Sequence, residues 1–463
     1  MPTAEIDLNI NILLQTRGLE TKGFGIPLIE GTSFPFFRVK TDAAASTKEI
    51  LWISKIRNTV FQQIKLTDPS APDTALAVGV TGSGTSGDPH IIDVTLSTDS
   101  GSVITATASA VAAIVNADGT AGPLLNGTAT GSGTGIVTPV AATPLVTVSA
   151  TRDNTFTSSA EMITLGYELT DKEVLIADAL LGQDLKPPTF VVHSRDGDDT
   201  TDDSITESLT TLRTTNDTWY FILIEETTKA ALQEAGDFAA SNEKLFVGNT
   251  ADLTALTGRN NIREAYVIDD KAATEFPAAA WVGRVGPTTP GSVTWKWKQL
   301  NNVTAGDFTT TQLTTIRNDD GQAIVDSRGR IYMNEGITTG KEFIDIIRGR
   351  DFLNSRLLEE LILLFTNNDK VGFDNQGIGQ IEGVVRGVLN EVSANDYVAG
   401  VSDAADAKNS DDGAFQFQVS TPAFSSISST DKSNRNLPNV KFTLVPKGAI
   451  HTLTINGTIG FAA

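Results

Sequence analysis

The sequence predicts an α/β and α+β chain of several domains, with a doubly wound α/β core, an inserted α+β domain and strands near both ends. Three observations carry that reading. Between residues 190 and 268, compact apolar runs alternate with helical patterns, which is the order of a mainly parallel sheet. From 66 to 155 the composition shifts to Thr, Ser, Gly and Ala. Near each end, apolar and polar residues alternate with the period of a half-buried strand. The expected division is 1–65 (N-terminal strand arm and start of the core), 66–155 (inserted, surface-exposed), 156–330 (α/β core) and 331–463 (helices and strands with a C-terminal hairpin arm).

In chain order, residues 5–12 (EIDLNINI) place Ile6, Leu8, Ile10 and Ile12 on one face and Glu5, Asp7, Asn9 and Asn11 on the other. A strand so early has no partner within sequence reach, so it must add to a sheet edge in its own chain or another. A second apolar run, FGIPLI, follows at 24–29. Within the Thr/Ser/Gly-rich block, strands are expected at 74–80, 90–96, 136–140 and 145–149. A helix is expected at 103–117, where Ile104, Ala108, Val111, Ala112 and Val115 share a face.

The core then reads strand 190–193, helix 204–212, strand 219–224 (WYFILI), helix 228–240, strand 244–247 and strand 265–268. At 292–300 (SVTWKWKQL), Val293, Trp295 and Trp297 alternate with Thr294, Lys296 and Lys298, predicting another strand. Two long helices follow. In the first, Phe343, Ile347, Leu353, Leu357, Leu361 and Leu364 form an apolar stripe, with a bend expected at Arg348-Gly349-Arg350 and a stop at Asn367 and Asn368. In the second, the stripe is Ile378, Ile381, Val385, Val388 and Val392. Gly379, Gly383 and Gly387 recur every fourth residue on the opposite side. Each costs ~1 kcal/mol against alanine in a helix interior, so a close-approaching backbone is expected there. It belongs either to a neighbouring element or subunit, or to a strand of the same domain. Finally, Val440, Phe442 and Leu444 alternate, Pro446-Lys447-Gly448 turns, and His451, Leu453 and Ile455 alternate again as a closing hairpin.

Composition narrows the chemistry. Cysteine is absent and there are three histidines, His90, His193 and His451, so thiol catalysis and Cys- or His-rich metal sites are not expected. The net charge of −21 opposes nucleic-acid and anionic-membrane binding. The N-terminus lacks the apolar core of a signal peptide, and no apolar run is long enough to span a bilayer. Asp196, Asp198 and Glu207 match three positions of a calcium loop, but Thr201 stands where its glycine is required. The segment 336–342 is one residue short of a phosphate loop, and Glu342 replaces the hydroxyl residue. His193 ends a strand with no partnered nucleophile in view. No catalytic residue, metal site or cofactor is expected.

Several segments together resemble the tail sheath proteins of contractile-tailed bacteriophages. They are FGIPLI at 24–29, Gln183 to Pro187-Pro188 followed by FVV, WYFILIEE with KAALQEAGDFAASNEKLF, SVTWKWKQLNNVTAGDFTTTQ at 292–312, GKEFIDIIRGRDFLNSRL at 340–357, FDNQGIGQIEGVVRGVL at 373–389, and GAIH at 448–451 followed by LTINGTIG. The resemblance implies a non-enzymatic subunit of stacked, usually hexameric rings around a tail tube, meeting baseplate and tail terminator proteins, in the virion and, during assembly, in the host cytoplasm. It implies neither nucleic-acid binding nor membrane insertion. It also implies terminal strands that complete sheets in neighbouring copies. On that basis Ile6, Leu8, Ile10, Ile12, Val440, Phe442, Leu444, Leu453 and Ile455 are the expected linkage residues. Gly379, Gly383, Arg386 and Gly387 are a candidate tube or subunit contact. Two other readings compete: a host-binding adhesin using 66–155, and an α/β hydrolase built on His193 and Asp196.

Overall fold

A computed structural model of the chain describes residues 23–31, 37–40, 50–55, 62–85, 88–122, 124–129, 134–144, 153–165, 167, 169–195 and 204–454. Its centre is a six-stranded sheet in the order Glu264–Ile268, Leu245–Thr250, Trp219–Ile224, Gly23–Gly31, Phe190–Ser194, Asp153–Phe156. All neighbours are parallel except the last pair. The run FGIPLI therefore lies mid-sheet, with Leu28 beside Val191 on one flank and Ile222 on the other. Successive residues point to opposite faces. Ile29, Val192, Phe221 and Val247 join a core with the helices Lys172–Leu181 and Pro277–Val285. Leu28, Val191, Ile222 and Phe246 join a second core with the helices Ile205–Thr215 and Lys229–Ser241. Burial on both faces explains why these strands read as continuous apolar runs.

Two smaller sheets are built from the stretch between the first and second core strands. One has the order Ala77–Thr81, His90–Thr95, Gln62–Thr67, Val140–Pro144; the other is Phe37–Lys40, Ile50–Lys55, Leu125–Ala129. The helix Ala108–Ala117 packs Val111 and Val115 onto Ile64, Ile92 and Val94. It starts later than expected because Thr107 caps it, accepting from the Ala110 amide. Ile104 instead bridges Thr98 in extended conformation. The expected strand at 145–149 lies outside the described residues.

The strand expected at 292–300 is not there: the segment is a series of turns. Trp295 is buried against Trp281 with ring centroids 4.9 Å apart, whereas Trp297 adopts a φ of 66° and is half-exposed. That left-handed residue ends any alternation. The closing hairpin is also corrected. Lys441–Leu444 pairs antiparallel with Phe417–Ser420, and 447–454 carries no strand.

The helix Ile344–Asn367 passes through Arg348-Gly349-Arg350 without interruption. Gly349 is needed because a Cβ there would lie 2.1 Å from the Tyr397 ring. Arg348 is fully buried. It stacks on Phe221 and Trp295 and donates through Nη2 to the carbonyls of Gly286 (2.8 Å) and Thr288 (3.2 Å). Those carbonyls lie just beyond the helix Pro277–Val285, where the dipole is negative. Burial pulls the Arg348 pKa down to about 10, so it stays charged at neutral pH. One turn on, Asp351 accepts from Tyr220 (2.7 Å), from Arg350 and from both Nη atoms of Arg263.

Two predictions follow from this packing. Asp351→Ala strands the Arg263 guanidinium in the interior and should cost roughly 3–5 kcal/mol of unfolding free energy, seen as a lower denaturant midpoint. Secondly, Glu30 ends the central strand fully buried. Burial pushes its carboxyl up to about 8 against the pull of Arg195, whose Nε is 3.1 Å away. Its folded pKa therefore exceeds the unfolded 4.5, so the folded state holds a proton the unfolded state has lost. The stability that Glu30 contributes is full below 4.5 and is lost as pH rises to about 8. Asp269 and Asp345, each pushed up to about 6, add to the lower part of the decline. Glu30→Gln should flatten the upper part in thermal melts across that range.

Candidate assembly surface

The helices Ile344–Asn367 and Asn375–Ala394 form a hairpin against the strands Phe417–Ser420 and Lys441–Leu444. Its core joins Leu353 and Leu357 to Val385, Val388, Leu389 and Val392, closed by Tyr397, Phe417 and Val419. The two apolar stripes are thus turned inward, with Ile378 and Leu361 also buried, Ile381 and Leu364 half-buried, and Phe343 at the N-cap.

The glycine side of the second helix faces outward. A Cβ at Gly379, Gly383 or Gly387 would meet nothing within 4 Å. Among the described residues, no strand fills that ridge. Gly377 is the packed glycine of this helix: its Cβ would fall 1.8 Å from the Gly372 carbonyl oxygen. Arg386 has partners inside the chain, Glu382 at 3.0 Å and Asp411 at 2.9 Å, and it ties the helix to the loop before Phe417.

The chain's last described stretch lies along the surface. The Lys447 amide donates to the Tyr397 carbonyl (2.8 Å), and Lys447 Nζ meets Asp396. His451 Nε2 is 2.9 Å from Thr294 Oγ1, and its ring stands edge-on to Phe343. Burial, aided by Lys296, holds the His451 pKa below its usual value. On either side of this anchor, Ile450 and Leu453 are 82% and 78% exposed.

The other expected linkage residues divide. Val440, Phe442 and Leu444 are half-buried against the hairpin core of their own chain. Lys441–Leu444 has one partner strand, so its second edge carries none among the described residues. Ile6, Leu8, Ile10, Ile12 and Ile455 lie outside the described residues. Ile450 was missed; an isoleucine following Pro446, Lys447 and Gly448 was the available signal.

The residues weighed for chemistry have other work. His193 Nδ1 is 2.5 Å from Asp153 Oδ1, and the two are cross-strand neighbours that clasp the sheet's antiparallel edge. Asp153 Oδ2 accepts from Thr215. Glu207 closes a capping box with Ser204, while Asp196 and Asp198 lie outside the described residues. Among the described residues, no group of three or more His, Asp or Glu is placed to hold a metal, and no helix is long and apolar enough to cross a membrane.

Two solved structures share this architecture. A chain of the cryo-EM structure of the anti-feeding prophage baseplate aligns with a TM-score of 0.50 at 8% identity, covering 67% of this chain and 88% of that one. A chain of the sheath complex of an extracellular contractile injection system (PVC), in its contracted state, aligns at 0.50 and 13% identity, covering 67% and 87%. No family model and no curated protein matches the sequence. The fold is thus a mixed α/β, multi-domain one found in contractile injection machines. The second of these is a contractile sheath complex, and the sequence motifs described above resemble those of tail sheath proteins.

The contrast between the glycines is measurable. Gly383→Ala and Gly387→Ala should each raise the stability of the isolated chain by ~1 kcal/mol. Gly349→Ala should lower it. Denaturant midpoints at unchanged slope distinguish the two.

Proposed function

We propose that the chain is the structural subunit of a bacteriophage contractile tail sheath. It polymerises as stacked hexameric rings around a tail tube, between baseplate and terminator proteins, and shortens to drive the tube through the host envelope. The observation that best supports this is the C-terminal stretch. Ile450 and Leu453 stand in solvent on a segment pinned at Lys447 and His451. Large apolar residues so displayed suit an arm that packs on a neighbouring copy, with Leu453 on the face expected to add to that neighbour's sheet. The strand expected at 5–12 would serve at the other end, and the open glycine ridge offers a close-approach face for the tube or a second copy. The polar stretches 402–413 and 425–436 would act as hinges that let linked subunits rotate.

Electron microscopy of the purified protein tests this: tubes or rings are expected. Removing 449–463 leaves the ladder between Phe417–Ser420 and Lys441–Leu444 intact. It should therefore abolish polymers while the monomer keeps its circular dichroism spectrum. A full-length chain that stays monomeric at high concentration counts against the proposal.

A further inference from the structure

Beside the Trp297 turn lies an open cleft of about 680 Å³. Four cations line it, Arg284, Lys298, Arg328 and Arg330, together with the rings of Trp297 and Tyr332. In a chain with 56 acidic and 35 basic residues, such a cluster is conspicuous. Among the described residues, none of the four makes an ion pair or a side-chain hydrogen bond. The carboxylate lining the cleft, Asp184, takes a hydrogen bond from Asn301 at 3.0 Å. Burial and the nearby Arg284 hold the Lys298 ammonium below its usual pKa.

The backbone supplies a second, independent sign. Ser327 and Arg330 close a two-residue hairpin turn in which Arg328 and Gly329 have φ of 56° and 79°. Asn-Gly is the favoured pair in such a turn, and a long side chain at its first position is disfavoured. Trp297, also left-handed, keeps its ring 5.0 Å from Tyr332 at the same cleft. Two disfavoured backbone positions therefore present a guanidinium and an indole to one concavity, the kind of strain that marks a working surface.

The geometry points to a docking site for a carboxylate-rich segment of a second copy of this chain. Arginine forks take carboxylates bidentately, and the paired rings give the segment's stem an apolar floor. The partner is a second copy because the chain carries a net charge of −21. Another subunit therefore brings the sign this cleft lacks, whereas ring-to-ring repulsion would otherwise oppose stacking. The inference rests on the assembly reading above and names one contact within it.

Arg328→Glu/Arg330→Glu alters exposed side chains at a hairpin tip. It should leave the monomer's near-ultraviolet dichroism unchanged. The concentration at which the full-length protein polymerises should rise at least tenfold, and the salt sensitivity of that threshold should shrink. In parallel, hexaglutamate is titrated into the wild-type monomer, read by Trp fluorescence. It should bind saturably, and the variant should bind at least tenfold more weakly. Polymerisation of the variant at the wild-type threshold overturns the docking site and leaves the sheath reading standing. A wild-type chain that never polymerises overturns the sheath reading, and with it the second copy as occupant. Absence of hexaglutamate binding removes the cleft's proposed ligand. Tighter binding of inorganic phosphate or of a short oligodeoxynucleotide than of hexaglutamate would likewise overturn it, reassigning the cleft to a phosphate ligand.

Discussion

The fold depends on two charged side chains that the helix Ile344–Asn367 sends into the core. Arg348 meets the carbonyl end of another helix, and Asp351 gathers Tyr220, Arg350 and Arg263. Neither pairing is cheap, since desolvating an ion costs several kcal/mol before any contact is made. Such contacts hold only in one geometry, so they fix the helix's register and rotation against the sheet. The C-terminal helix hairpin inherits its position from them: Gly349 admits Tyr397, whose hydroxyl reaches the Ile346 carbonyl. A hydrophobic seam alone would tolerate sliding, and these buried charges do not.

How much of this was legible in the sequence depended on how local the cause was. The runs at 190–193, 219–224, 244–247 and 265–268 were readable because strands buried on both faces are largely apolar. The position of FGIPLI in the middle of the sheet was not, since parallel pairing joins residues far apart in the chain. Alternation misled at 292–300, where Trp297 breaks the extended backbone and, of Val293, Trp295 and Trp297, only Trp295 is buried. It misled again after Pro446, where His451 anchors a strandless stretch. Arg348 was singled out in the sequence only as part of an expected bend, and Asp351 was not singled out, because nothing local distinguishes a buried ion from an exposed one. The glycine periodicity was visible in the sequence. Which neighbour it faces was not, and among the described residues nothing lies within 4 Å of a Cβ at Gly379, Gly383 or Gly387.

The surfaces left unfilled are of three kinds. The glycine ridge lacks side chains, the C-terminal stretch exposes Ile450 and Leu453, and the cleft beside Trp297 is cationic. Each calls for a different complement: a close backbone, a sheet edge, a carboxylate. Contacts so different in chemistry respond differently to salt and to rotation. An assembly using all three could release one kind while keeping another.

The place of Gly23–Gly31 in the sheet carries a consequence for biosynthesis. This strand is translated before both its neighbours, Phe190–Ser194 and Trp219–Ile224, which follow the residues of the two smaller sheets. Until then Leu28 and Ile29 lack the two strands that flank them in the sheet, and the nascent chain carries this apolar β-segment without them. Those intervening sheets can form their own core meanwhile, so the slow event in maturation is the late capture of an early segment.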